Sequence, residues 1–276
     1  MNTAHLNGLS LVEQIAEIEA SVRMQPAVAS HRWALFQLMC AMGNWTRSIQ
    51  QLQTWAKLEP QHTQIAQTYR DLIRAEHWRQ KVLAGQQRPG FILEPPAWTA
   101  QLIDALRLAA DGHNDAADDV HASALETAPP VAAHTSHGHT EWIADSDSRF
   151  GPVCEVITAG HYRWVPFSDL AAWHISSPVN LIDLIWAPCK LTLADSSVVH
   201  GLMPARYPGS EACADTLRLG RETVWQESGR TGVIALGQKT WITDQGDFGL
   251  FELTHCQFGT PATIDDKQEG SSHDHT

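Results

Sequence analysis

From Leu9 to Met24 the apolar positions are Leu11, Ile15, Ile18 and Val22, with Val12 beside them. That spacing draws one stripe along a helix. Ser10 stands where an N-cap belongs, Glu13 completes a capping-box pattern, and Pro26 follows the helix end. The next segment carries two helical patterns that break at Gly43-Asn44. Trp33, Phe36, Leu38 and Met39 belong to the first; Trp45, Ile49, Leu52, Trp55 and Leu58 belong to the second. A third helix pair starts near His62, runs through Ile65, Tyr69, Leu72, Ile73 and Trp78 to Leu83, and is stopped by Gly85 and Pro89. Two more helices are expected over 97–110 and 115–126, joined by a turn at 111–114.

Pro26, Pro60 and Pro95 are spaced by 34 and 35 residues. A period near 34 with helix–turn–helix units is the tetratricopeptide pattern, though the match is degenerate. Residues 1–126 therefore read as a TPR-like, all-helical N-terminal domain. Stacked helix pairs leave a concave face suited to a partner helix or an extended peptide. Trp33, Phe36, Trp45, Trp55 and Tyr69 are the candidate anchors of such a face; the alternative for each is plain core packing.

Residues 127–140 are rich in Pro, Ala, Ser, Thr and His without an apolar period, which predicts a linker. Beyond it the pattern changes to short strands. VCEVIT (153–158) and HYRWV (161–165) around Ala159-Gly160 predict a hairpin, and CKLTLA (189–194) with VVHGLM (198–203) predict a second. TVWQE, GVIAL, KTWITD and FGLFELTH supply four more strands. Helical pieces are expected at 168–172, at 179–185 and from Ser210, with Ser210 as N-cap and Gly220 closing it. The whole is a multi-domain chain: the helical domain, then a strand-rich α+β domain over 141–260 and a flexible polar tail over 261–276.

Charge narrows the function classes. The chain of 276 residues carries 19 Lys+Arg against 31 Asp+Glu, and neither half has a basic excess. Binding along a phosphate backbone needs such an excess, so general nucleic-acid binding is excluded. No apolar run approaches the length of a membrane span, and the first residues lack the basic start of a secretory signal. Five widely spaced cysteines, an odd number without C-x-x-C, argue against a disulfide framework or a structural zinc site. His134, His137 and His139 in the linker lack a scaffold that would fix metal geometry, so no metal and no cofactor is expected.

No nucleophile elbow, P-loop, dinucleotide fingerprint or H-E-x-x-H is present. The best catalytic set, Ser210 with His200 and Asp183, rests on residue types alone. Arg149 and Arg206 stand out in an acidic domain. Each either pairs with a carboxylate such as Asp145, Glu155 or Glu211, or lines an anion- or partner-binding pocket with Tyr207, Ser210 and Glu211.

DSRFGPVCEVI (147–157), YRWVPF (162–167), DLIWAPCKLTL (183–193), ARYPGSE (205–211) and DTLRLGRETVW (215–225) occur in that order. In the helical half stand WALFQLMCAMGNWTRSIQQLQTWAKLEP (33–60) and IAQTYRDLIRAEHWRQKVLAG (65–85). On these strings the chain resembles the ImpE family, also called TagJ or SciE-type proteins, accessory factors of type VI secretion systems. The resemblance covers most of residues 9–256. It implies a TPR-like domain followed by an α+β domain, no enzymatic activity, and a place in the bacterial cytoplasm. It further implies association with the small sheath subunit TssB and, through it, with the ClpV unfoldase.

Overall fold

The computed structural model describes residues 9–230 and 232–259; the expectation for the tail at 261–276 lies outside them. The helical half comprises α1 (Leu11–Met24), α2 (Ala29–Ala41), α3 (Trp45–Leu58), α4 (Thr63–Leu83), α5 (Ala97–Ala110) and α6 (Asn114–Thr127). At the head of α1 the Ser10 hydroxyl accepts from the Glu13 amide at 3.2 Å, and the Glu13 carboxylate accepts from the Ser10 amide at 2.8 Å. This reciprocal cap satisfies two donors that a helix start leaves open. Gly43, at φ +67°, makes the break between α2 and α3. A Cβ there would stand 2.6 Å from Glu211 Cγ, so the turn needs glycine for close approach as well as for conformation.

Where the sequence predicts a third helix pair, α4 is a single helix of 21 residues. It has no internal glycine or proline to break it. The α2–α3 and α5–α6 hairpins therefore flank one long helix.

The strand-rich half starts earlier than expected. Residues 127–140 were expected to be a linker, but β1 (Ala133–Thr135) and β2 (Gly138–Thr140) form a hairpin there. β1 also pairs with β13 (His255–Phe258), more than a hundred residues away. Pairing with a distant strand leaves no local apolar period to read. The other strands are β3 (Ile143–Asp145), β4 (Val153–Thr158), β5 (His161–Pro166), β6 (Leu170–Ile175), β7 (Trp186–Leu193), β8 (Val198–Pro204), β9 (Thr223–Ser228), β10 (Gly232–Gly237), β11 (Thr240–Thr243) and β12 (Gly246–Gly249). The helix expected at 168–172 is a 3-10 turn leading into β6, and the strand expected at 248–255 is split between β12 and β13. From Ser210 there is only a three-residue 3-10 turn, then α7 (Asp215–Arg218).

Eight strands pair antiparallel in the order β2-β1-β13-β6-β7-β8-β4-β5; β12-β11-β3 and β10-β9 form two smaller sheets. Alternation along β4 and β5 separates two cores. Cys154, Val156 and Val165 face a cluster with Trp173, Leu191, Met203 and Trp241. Val153, Ile157, Tyr162 and Trp164 face the helices and join a cluster with Phe36, Leu52, Leu72 and Trp186. One core thus runs continuously from the helices into the sheet. Among the described residues no helix is long and apolar enough to cross a membrane.

Candidate functional site

The aromatic candidates of the helical half meet in one stack. Trp33 lies 5.1 Å from Phe36, 4.7 Å from Trp55 and 5.4 Å from Tyr69, centroid to centroid. Trp45 and Tyr69 reach Trp186 of β7 at 5.8 and 6.4 Å. Phe36 is fully buried and Trp55 nearly so, while Trp33, Trp45 and Tyr69 are half-buried. The strand-rich half closes over part of this stack: the Ile182 amide donates to Gln37 Oε1 of α2 at 3.2 Å. Phe36 and Trp55 are core, which corrects their expected role as open anchors. Helical spacing places an aromatic on the inner face of a hairpin but does not say what covers that face.

Behind the stack lies a buried set of charges, of which the sequence reading named Asp145 and Glu155 as arginine partners but missed Arg79, Glu76 and Lys239. Arg79 of α4 grips Glu155 of β4 with Nε at 2.6 Å and Nη2 at 2.8 Å, and Nη1 reaches Glu76 at 3.0 Å. Both outer nitrogens also donate to the Arg206 carbonyl at 3.2 Å. Lys239 lies 2.7 Å from Glu155 and 2.5 Å from Asp145. It also sits over the ring of Phe150 at 4.5 Å. Tyr162 donates to Glu155, and Trp164 to the Tyr162 hydroxyl. The only sequence signal was the Glu76/Arg79 pair one turn apart on a helix.

Burial pushes the Glu155 carboxyl up, but Arg79 and Lys239 more than offset this and hold it down to about 2. A carboxyl depressed from 4.5 contributes stability that is complete above that value and is lost as pH falls toward 2. Carbon-detected NMR of labelled glutamate checks this. One side chain is expected to remain ionised at acidities where the exposed glutamates are protonated; a complete set titrating together would show that water reaches Glu155.

The expected pocket at ARYPGSE is closed. Arg206 Nη1 donates to the carbonyls of Ala41 and Arg218, both at 2.7 Å, and Nη2 to Cys40 at 2.9 Å. Its partners are carbonyls at the C-terminal ends of α2 and α7, not the carboxylate expected from sequence. Tyr207 is buried and donates to Asp145 at 2.6 Å. Ser210 is also buried, donating to the Tyr207 carbonyl at 2.6 Å and accepting from the Gly237 amide at 2.8 Å. The residue that precedes the 3-10 turn as its N-cap is Gly209, at φ +92°, which corrects the capping role assigned to Ser210. Glu211 accepts from the Gly209 amide and from Gln80 of α4. These residues lock the strand-rich half to α2 and α4.

The catalytic set is equally occupied with local work. Ser210 has its hydrogen bonds filled, Asp183 caps the turn Leu181–Leu184, and His200 is exposed on β8. Cys40, Cys154, Cys189 and Cys256 are buried free thiols, and Cys213 is half-buried. His134 and His139 face each other across β1 and β2 with ring centroids 4.6 Å apart, and His137 stacks on Phe248. Among the described residues no three or more His, Cys, Asp or Glu converge on one point.

Arg149 pairs with Asp147 through Nη2 at 2.5 Å, as the sequence reading allowed for a carboxylate partner, though not one of those it named. Its guanidinium lies at the edge of an open cavity of about 340 Å³ between the α5–α6 hairpin and β9–β10. Leu83, Leu102, Leu106 and Ile234 line it together with the alanines Ala84, Ala105, Ala109, Ala110 and Ala117, and Asp118 borders it. His121 borders it and contacts the Ser148 carbonyl at 2.8 Å. A second cavity of about 390 Å³ lies beside α4, where Trp78 is exposed among Arg74, Arg88 and Arg163.

Three comparisons bear on this architecture. The family model described as ImpE protein matches residues 137–257. The type VI secretion system accessory component TagJ of Pseudomonas aeruginosa is 38% identical over 249 residues, covering 90% of this chain and 87% of that protein. The crystal structure of protein VPA1032 from Vibrio parahaemolyticus has a TM-score of 0.83 at 23% identity, over 91% of this chain and 94% of that one, which shows a shared fold. Tyr162 of YRWVPF and Arg206 and Tyr207 of ARYPGSE, which belong to the buried junction, all lie inside the family match, as does DSRFG. On the strength of the relative that spans nearly the whole molecule, the chain belongs to the ImpE (TagJ) family.

Proposed function

We propose that this chain is a non-catalytic accessory component of a type VI secretion system that works in the cytoplasm. In this reading it binds a helical segment of the small sheath subunit TssB and so connects the sheath to ClpV-driven recycling. The relative named as the accessory component TagJ supports the system. The observation that carries the binding mode is the cavity between α5–α6 and β9–β10: open, mostly apolar and lined by five alanines. Small side chains let a partner helix come close, and leucine walls receive its apolar face. The helical half acts as a degenerate TPR-like array, and Arg149 at the cavity edge meets a carboxylate on the partner.

Calorimetric titration of the full chain with the N-terminal peptide of TssB tests this. Ala109 is exposed within the cavity, so Ala109→Trp fills it without entering the core. Wild-type binding is expected at micromolar strength or tighter, weakened at least tenfold in the variant, or by about 1.4 kcal/mol. No binding by the wild-type chain overturns the TssB reading. Binding that ignores Ala109→Trp overturns the cavity as its place and moves the search to Trp33, Trp45 and Tyr69, the half-buried aromatics.

A further inference from the structure

The helices pack on β4, β5 and the adjoining ends of β7 and β8 of the large sheet, and the same face beyond them carries a row of three histidines and a lysine. In the β6–β13 register His174 lies directly opposite His255. Directly paired residues project from the same face, and both side chains are exposed. Lys190 on β7 and His200 on β8 continue the row. The first two make a specific contact: His174 Nδ1 is 2.6 Å from His255 Nε2, with ring centroids 4.2 Å apart. Two ring nitrogens at that distance share one proton between two lone pairs. On its other side, His255 Nδ1 is 3.1 Å from the Thr254 hydroxyl. An Nδ1–H donated to that oxygen leaves the Nε2 lone pair aimed at His174.

We propose that His174 and His255 form a two-imidazole site for a divalent late first-row transition-metal ion, with water completing its coordination. The ion takes the place of the shared proton. In the neutral pair the His174 proton moves from Nδ1 to Nε2 of the same ring, so both facing nitrogens present lone pairs and no net proton is released. Metal–nitrogen distances of about 2.0–2.1 Å need the two nitrogens roughly 3 Å apart, a small ring rotation for exposed side chains. Thr254 holds the tautomer and orientation of one ligand, as outer partners of metal-bound histidines do. Imidazole suits copper, nickel and zinc, and copper(II) binds such donors tightest. With Lys190 adding positive charge beside His174 and no third protein ligand among the described residues, the site is open and exchangeable.

The test is titration of the full chain with copper(II) chloride in a non-coordinating buffer near neutral pH, read by calorimetry and electron paramagnetic resonance. It is run on a chain carrying His273→Asn and His275→Asn, which removes the histidines of the polar tail. One equivalent with a nitrogen hyperfine pattern is expected. His174→Asn and His255→Asn are each expected to weaken it by more than about tenfold, while His134→Asn with His139→Asn leaves it unchanged. The ion is also expected to raise the melting temperature of the parent and of neither site variant. Both substitutions are on the exposed face; should one alter the metal-free melting curve, His255→Gln replaces it. Unchanged binding in the His174→Asn, His255→Asn double variant overturns the proposal, and so does binding by the parent at millimolar copper only.

Discussion

Arg79→Ala is expected to destabilise the chain by about 3–5 kcal/mol, the cost of breaking a buried ion pair by removing one partner. Arg79 has a side chain only 1% exposed, and Glu155, its bidentate partner, has none exposed. Alanine leaves Glu155 with one cation, Lys239, beside the Tyr162 hydroxyl, leaves Glu76 with the Trp186 indole, and removes both donors to the Arg206 carbonyl. The loss falls on the one place where α4, β4 and the ARYPGSE segment meet, so both halves are expected to unfold together. Urea unfolding followed by tryptophan fluorescence measures it. The eleven tryptophans, several of them around this junction, make the signal strong. A loss below about 1 kcal/mol would place the pair in the class of solvent-screened surface bridges. A two-step transition would show that the halves are independently stable.

The second large effect is expected at Arg206. Its guanidinium closes the C-terminal end of α2 through the carbonyls of Cys40 and Ala41 and ties in Arg218. Burial draws this group down from its usual value, with Glu211 and Glu76 opposing, and its charge is held by backbone dipoles rather than by a carboxylate in contact. Arg206→Ala leaves two buried carbonyls and a part-buried one without a charged donor, a loss of about 3 kcal/mol. Arg206→Lys restores the charge but not the planar fork that spans both ends of the contact, so it is expected to recover only part of that. Hydrogen exchange provides the local readout: the amides of 42–44, which close the turn after α2, are expected to lose protection in Arg206→Ala. If protection there is unchanged, Arg206 does not hold α2 to the sheet.

These two arginines also show where sequence reasoning stops. Arg206 was visible as an unusual cation in an acidic stretch, but the reading offered it only a carboxylate or a binding pocket, and the helix end it takes was not among them. Arg79 drew no attention because Arg one turn after Glu is ordinary on a helix surface. Its partner Glu155 lies 76 residues further along the chain, and Lys239 is more distant still. A charged side chain is legible as buried only once the surfaces that exclude water from it are in place. Phe36 and Trp55 carry the same lesson with the opposite sign. Their spacing put them on the inner face of a hairpin, and the strand-rich half then turned that face from a surface into a core.

The chain's local signals determined much of the helical half, though not that α4 is one helix in place of a third pair. The capping box at Ser10–Glu13, the break at Gly43 and the helix over 97–110 all appear as read, because each is settled by backbone groups within a few residues of one another. The β4–β5 hairpin follows for the same reason, with Ala159 and Gly160 both at positive φ in its turn. Tertiary structure alone decided that 133–140 would be two strands, since β1 exists by pairing with β13 and carries no apolar alternation of its own. It also placed His174 against His255, assigned Arg206 to a helix end, and left the alanine-lined cavity open beside α5. Each of these depends on surfaces distant in the chain coming together, and contact across such distances leaves no period in the sequence.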